Sequence, residues 1–296
     1  MRPLMIALAF LVFWGSAAYA LDWSIYSSTP SMLQPPLEFH QIEITTTDSV
    51  KIGAWFLPPE DAMGNVAPDR RPAVLLLPAE GTTLPDQLPL IAGLVHRGFA
   101  VMAVENRGHG VSQAFSVQPG VAVYPEYRVD AASALDILWR RPEVDTTKVA
   151  VYGESQGAVI AMALAGRRPE VRAVVAVGLL RDWKSYYASM KKLHPEKQVY
   201  LPKTWEKRDD PDKVIHRFNG SIFFVTGEMD LETPAWMARE LYGKYPRPKE
   251  FWIAPNAGHL GADSPARTLG EPYYDRITEF LNRELNKPPH RGWPYS

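Results

Sequence analysis

The chain has 296 residues, 46% of them hydrophobic and 22% charged, a globular composition long enough for one large core or two small ones. Lys and Arg number 32 against 33 Asp and Glu, so no basic excess advertises nucleic acid or an anionic membrane surface. Cysteine is absent, which excludes disulfides, a thiol nucleophile, a lipidated cysteine and Cys-ligated zinc.

Residues 1–20, MRPLMIALAFLVFWGSAAYA, carry one early positive charge (Arg2), an apolar run from Leu4 to Trp14, and the small residues Ala18 and Ala20 at the end. That is the pattern of a secretory signal peptide cleaved after Ala20. The apolar run is too short to span a bilayer, which takes about 20 residues. The expectation is an exported chain, periplasmic or secreted from a bacterial source, with 21–296 as one domain and no stable membrane insertion. The alternative is an uncleaved N-terminal anchor.

After this segment, Ile42–Thr45 and Val50–Leu57 alternate as two antiparallel strands, turned by Thr47-Asp48-Ser49 and stopped by Pro58-Pro59. AVLLL (73–77) is a continuous apolar run, as in strands buried on both faces of a parallel sheet. A helix is expected over 86–97, stopped by Gly98, then a strand over 99–105 and a helix over 126–141 ended by Pro142. KVAVY (148–152) is a strand and 156–167 a helix. Strands follow at 171–177 and 221–227, separated by an insertion at 181–217. Residues 235–244 read as helix, 250–254 as strand and 271–286 as a last helix. This alternation predicts a mainly parallel sheet with helices on both faces, whose functional loops gather at the carboxyl ends of the strands.

Gly153-Glu154-Ser155-Gln156-Gly157 falls at such an end, between a strand and a helix. Gly-x-Ser-x-Gly can hold a nucleophilic serine on a sharp turn, with glycines where side chains would collide. The serine then needs a base and an acid. Of seven histidines, His259 follows the last strand on the small-residue loop APNAGHLG. Asp230, in GEMDLETP after the preceding strand, is the best-placed acid, and Asp182 is the alternative. The acid would accept the imidazole N–H, fix its tautomer and stabilise the imidazolium. The resulting chain order is nucleophile, acid, histidine.

These motifs, with ENRGHGVS at 105–112, resemble those of the α/β-hydrolase superfamily over roughly residues 38–286. Within it the chain is similar to the esterase, dienelactone-hydrolase-like and prolyl-oligopeptidase-like group. The resemblance implies an α/β-hydrolase fold and serine hydrolysis, with neither metal nor organic cofactor. It also implies an oxyanion hole formed by the backbone N–H of Gln156 and of Glu80. Many relatives carry His-Gly after the third strand, whereas this chain has Pro78-Ala79-Glu80-Gly81. A carboxylate at Glu80 would oppose an oxyanion unless it points away or pairs with Arg107.

The insertion holds ten Lys and Arg against six Asp and Glu, with Trp183, Tyr186, Tyr187, Tyr200 and Trp205. It reads either as a lid with aromatic walls or as a helical hairpin packing its aromatics on the domain. The functional expectation is cleavage of a small-molecule carboxylic ester through an acyl-enzyme. A serine peptidase, a thioesterase or a polyester depolymerase would use the same residues, and a binding protein retaining the fold is the non-enzyme alternative.

Overall fold

A computed structural model of the chain describes Leu37 and residues 39–288, so the signal segment expected at 1–20 lies outside the described residues. The alternating stretch before Pro58 forms β1 (His40–Thr45) and β2 (Lys51–Leu57), antiparallel with Ile44 opposite Ile52. The apolar runs become β3 (Arg71–Leu77), β4 (Ala100–Val104), β5 (Val144–Glu154), β6 (Ala173–Val177), β7 (Ser221–Gly227) and β8 (Lys249–Ala254). They make one eight-stranded sheet in the order β1-β2-β4-β3-β5-β6-β7-β8. From β4 to β8 every pairing is parallel, and β4, β6 and β7 are buried along their whole length. A strand covered on both faces leaves no polar side to alternate with, hence the unbroken runs of Val, Ala and Phe.

Side chains of each strand divide between two cores. Ala73, Leu75 and Leu77 face one, and Val74 and Leu76 face the other. The first core is closed by α2 (Glu126–Trp139), α3 (Gln156–Ala165) and α6 (Ala235–Lys244). The second is closed by α1 (Leu88–Val95) and α8 (Glu271–Leu285), through Ile91, Leu94, Tyr273, Ile277 and Phe280. Between β6 and β7 the insertion contributes α4 (Trp183–Leu193) and α5 (Pro211–Val214), and α7 (Pro265–Leu269) precedes α8.

Two elements differ from the sequence expectation. β5 begins at Val144, because Val144 pairs with Arg71 before a bulge resets the register to Ala73 opposite Val149; polar Asp145–Thr147 conceals this start. The helix expected over 86–97 starts as a 3-10 turn at Pro85–Gln87 and becomes α-helical only over Leu88–Val95, before Gly98 turns at φ 83°.

The insertion divides its aromatics. Trp183 and Trp205 are buried in the main core, edge to face with centroids 5.7 Å apart. Tyr200 is exposed and ties the segment to the loop before α2: its N–H donates to Gly120 O at 2.9 Å, and its carbonyl accepts from Ala122 N–H at 3.0 Å.

Arg107 holds the loop after β4. Its guanidinium donates to Asp130 Oδ1 from Nε at 2.9 Å and Nη2 at 2.6 Å, and to Asp48 at 2.6 and 2.9 Å. Arg107 and Asp130 side chains are 3% and 0% exposed, so removing one partner strands a buried charge. Asp130→Ala should cost about 3–5 kcal/mol in denaturant titration, with Asp130→Asn intermediate because it still accepts one hydrogen bond. A loss below about 1 kcal/mol in Asp130→Ala would show that the clamp is dispensable.

Candidate active site

Ser155 sits between β5 and α3 at φ 51°, ψ −114°, a region that costs a non-glycine residue of order 1–3 kcal/mol. The surroundings enforce the turn. Its N–H is bound to Val177 O at 2.8 Å, and its carbonyl accepts from Ala158 N–H at 2.9 Å. A Cβ on Gly153 would lie 2.3 Å from Gly157 O, and one on Gly157 2.2 Å from Leu77 O. The glycines therefore allow β5, α3 and the end of β3 to meet at one point, leaving the Ser155 side chain at the edge of the sheet.

His259 reaches that point from the loop after β8. The loops after β7 and β8 are joined by Met229 N–H to Ala257 O (2.8 Å) and by Asn256 N–H to Glu228 Oε2 (3.0 Å). His259 Nε2 lies 2.9 Å from Ser155 Oγ, and His259 Nδ1 lies 2.7 Å from Asp230 Oδ2. Asp230 is 3% exposed and satisfied on both oxygens. Oδ1 accepts from Glu232 N–H (3.0 Å) and Thr233 N–H (2.9 Å), and Oδ2 also accepts from the Thr233 hydroxyl (2.8 Å).

Burial acts to raise the Asp230 pKa, but hydrogen bonding and charge from His259, with the Thr233 contacts, hold it below the ordinary carboxylate value. For His259 burial opposes the imidazolium. The Asp230 hydrogen bond and charge, reinforced by Glu232 and Glu154, outweigh it and raise the pKa above the usual 6.5. Glu232 contributes from close by, its Oε2 being 3.7 Å from His259 Nε2.

Asp182 does not join this group. It caps α4, accepting from Ser185 N–H at 2.8 Å, and pairs with Arg181 at 2.5 Å. His109 stands off the triad, its ring 6.2 Å from that of Tyr127, and His96 contacts Glu60 at 2.7 Å.

Gln156 follows the nucleophile directly and Glu80 lies on the loop after β3; among the described residues neither N–H has a protein acceptor. The Gln156 side chain instead donates to Ala122 O at 3.1 Å, tying α3 to the loop before α2. Arg107 is occupied by Asp48 and Asp130, so the Glu80 carboxylate has no pairing with it. That carboxylate reaches solvent in the cleft. Desolvation by the cleft wall nonetheless raises its pKa; His109 and Lys197 oppose the rise and Glu232 adds to it.

Three supporting residues have no role assigned from the sequence. Thr233 orients Asp230, as described. Glu105, buried after β4, accepts from Leu84 N–H and Val111 N–H, both at 2.8 Å, and so fixes the chain that follows Glu80. Glu154 receives the Tyr152 hydroxyl at 2.7 Å. An acidic residue directly after a buried strand was the available signal for Glu105; nothing local marks Thr233. Among the described residues no three metal-ligating side chains converge, and no helix is long and apolar enough to cross a membrane.

The sequence profile of a family described as serine aminopeptidase, S33, matches residues 71–220, from β3 to the start of β7. Protein bem46 of Schizosaccharomyces pombe is 23% identical over 273 residues, covering 88% of this chain and 83% of that protein. Among solved structures, a Pyrococcus furiosus esterase superposes with a TM-score of 0.67 at 21% identity, over 87% of this chain and 94% of its own. The Pyrococcus horikoshii acylaminoacyl peptidase gives a TM-score of 0.67 at 16% identity, over 86% of this chain and 43% of that one. These structural likenesses establish the α/β-hydrolase fold.

A reaction in which His259 acts as the base should show kcat/KM rising with pH through an apparent pKa above 6.5, since only the free base takes a proton. Glu232→Gln removes a nearby negative charge and should move that limb to lower pH in a p-nitrophenyl acetate profile. A limb that stays put or moves upward would contradict the electrostatic role. Gly157→Ala, whose Cβ meets Leu77 O, should abolish turnover or lower Tm by several degrees; an unchanged enzyme would refute the close approach.

Proposed function

Because the chain belongs to the serine aminopeptidase S33 family, within the α/β-hydrolase superfamily, we propose that it is a serine hydrolase that cleaves a carboxylic ester of a small molecule by acyl transfer. The observation that carries this reading is the unbroken contact from Ser155 Oγ to His259 Nε2 (2.9 Å) and from His259 Nδ1 to Asp230 Oδ2 (2.7 Å). The strained turn at Ser155 supports it, since strain of this kind is kept where function needs it.

Ser155 Oγ attacks the ester carbonyl as His259 Nε2 takes its proton. Asp230, already satisfied by Thr233 and two amides, holds the imidazole and balances the imidazolium. The Glu80 and Gln156 N–H groups receive the oxyanion, each typically worth about 3–4 kcal/mol to the transition state. His259 then protonates the departing alkoxide, leaving an acyl-Ser155. Water, deprotonated by His259, attacks this ester in turn and releases the carboxylic acid and the serine.

A peptidase reading is favoured by the family description and by the likeness to an acylaminoacyl peptidase. The same residues would serve, with an amine as leaving group. We also propose export, on the pattern of residues 1–20 alone.

A fluorophosphonate probe should label the folded protein at Ser155, and Ser155→Ala and His259→Ala should each lower p-nitrophenyl acetate kcat by at least about 10³-fold. Absence of labelling in folded wild type would end the hydrolase reading in favour of a binding protein. Faster turnover of aminoacyl anilides than of the matching esters would select the peptidase.

A further inference from the structure

Glu154, the residue before the nucleophile, acts above only through its charge on His259, yet it lines a cavity of about 450 Å³ that also includes Leu260, the residue after His259. Its Oε1 accepts from the Tyr152 hydroxyl at 2.7 Å, and that hydroxyl meets the Tyr273 hydroxyl, also at 2.7 Å. Its other oxygen, Oε2, has no hydrogen-bond donor among the described residues. The cavity lies between the loop after β3, at Pro78 and Glu80, and the chain following His259, from Leu260 to Arg267.

Its charges are unequal. Glu80, Asp86 and Glu154 border it against Arg267 alone. Asp86 is engaged by the Thr83 N–H and hydroxyl at 2.9 and 2.7 Å. Arg267 is exposed at the rim and has no ion pair among the described residues. The carboxylate able to meet a ligand from within the wall is Glu154; burial raises its pKa above the ordinary carboxylate value, against the Tyr152 hydrogen bond and the charges of His259 and Arg267. A neutral apolar ligand would leave this carboxylate desolvated and Oε2 unpaired, whereas a cationic N–H would answer both deficits. The cavity adjoins the triad through Glu154, which precedes Ser155, and Leu260, which follows His259, and the departing oxygen must come within reach of His259 to take its proton.

We propose that this cavity is the leaving-group subsite of the enzyme, and that Glu154 selects an alcohol carrying a protonated amine that donates to Oε2. The proposal rests on the serine-hydrolase reading and adds its substrate class.

The test compares 2-(dimethylamino)ethyl acetate, cationic at pH 7.5, with its neutral isostere 3-methylbutyl acetate. Acid release gives kcat/KM, and each value is divided by that ester's hydroxide-catalysed rate. Wild type should favour the cationic ester by roughly tenfold after this correction, the size of one charged hydrogen bond. Glu154→Gln should bring the ratio to about one, and Arg267→Glu, which removes the opposing rim charge and adds a negative one, should raise it by about threefold. A corrected wild-type ratio of one or below overturns the subsite, as does a preference that survives Glu154→Gln. Where Glu154→Gln does not fold, an unchanged ratio in Arg267→Glu overturns it. Fluorophosphonate labelling separates the two levels: a labelled enzyme without the preference loses only the subsite, whereas an unlabelled, inert one loses the hydrolase reading with it.

Discussion

The carbonyl of Leu77, the carbonyl of Gly157 and the backbone at 153 meet within van der Waals distance, and the remaining geometry of the site follows from that contact. It requires glycine at two places and forces Ser155 to φ 51°. Because Ser155 N–H is spent on Val177 O, the first amide left over is that of Gln156. The end of β3 lies close to the start of α3, and the loop that leaves it carries the amides of Ala79 and Glu80. One steric junction thus fixes the turn that carries the Ser155 hydroxyl and the Gln156 amide.

The other two site residues are held by different means. Asp230 and His259 lie on neighbouring loops joined by hydrogen bonds, so the acid and the base are positioned together. On the opposite flank, Glu105 and Arg107 are adjacent buried charges with separate duties. Glu105 gathers amides from the loops at Leu84 and Val111, and Arg107 anchors its loop to α2 and to the β1–β2 turn. Charge-assisted hydrogen bonds suit this task, since a loop has no ladder of its own to fix it. The motif ENRGHGVS, read in the sequence only as a family resemblance, is a piece of scaffolding for the loop that carries Glu80.

Much of this was legible before the fold was seen, and the limits have physical causes. Strands buried on both faces announce themselves as apolar runs, so β3, β4, β6 and β7 fell within a residue or two of their observed ends. The start of β5 did not, because a bulge lets polar residues sit inside the strand. Ser155, Asp230 and His259 were found from one rule, chemistry at the carboxyl ends of strands, and the fold brings them within hydrogen-bonding distance. The same rule left Asp182 as a rival, since it too follows a strand. The fold separates the two: the Asp182 side chain caps α4 and pairs with Arg181, whereas Asp230 meets His259. Glu154 was noticed and left unassigned because a residue's neighbours across a cavity, here Leu260 and Arg267, are more than a hundred positions away. Thr233 carries no signal beyond being near Asp230.

The bond pattern around Tyr200 bears on how a substrate enters. Gly120, Ala122 and Tyr200 are joined by two backbone hydrogen bonds, Ala122 also receives the Gln156 amide, and Trp183 and Trp205 are sunk in the main core. A hinged door over the cleft would have to break those bonds and wet two indoles at each opening, while tugging on the helix that begins at the nucleophile. These bonds and the two buried indoles anchor the segment to the domain.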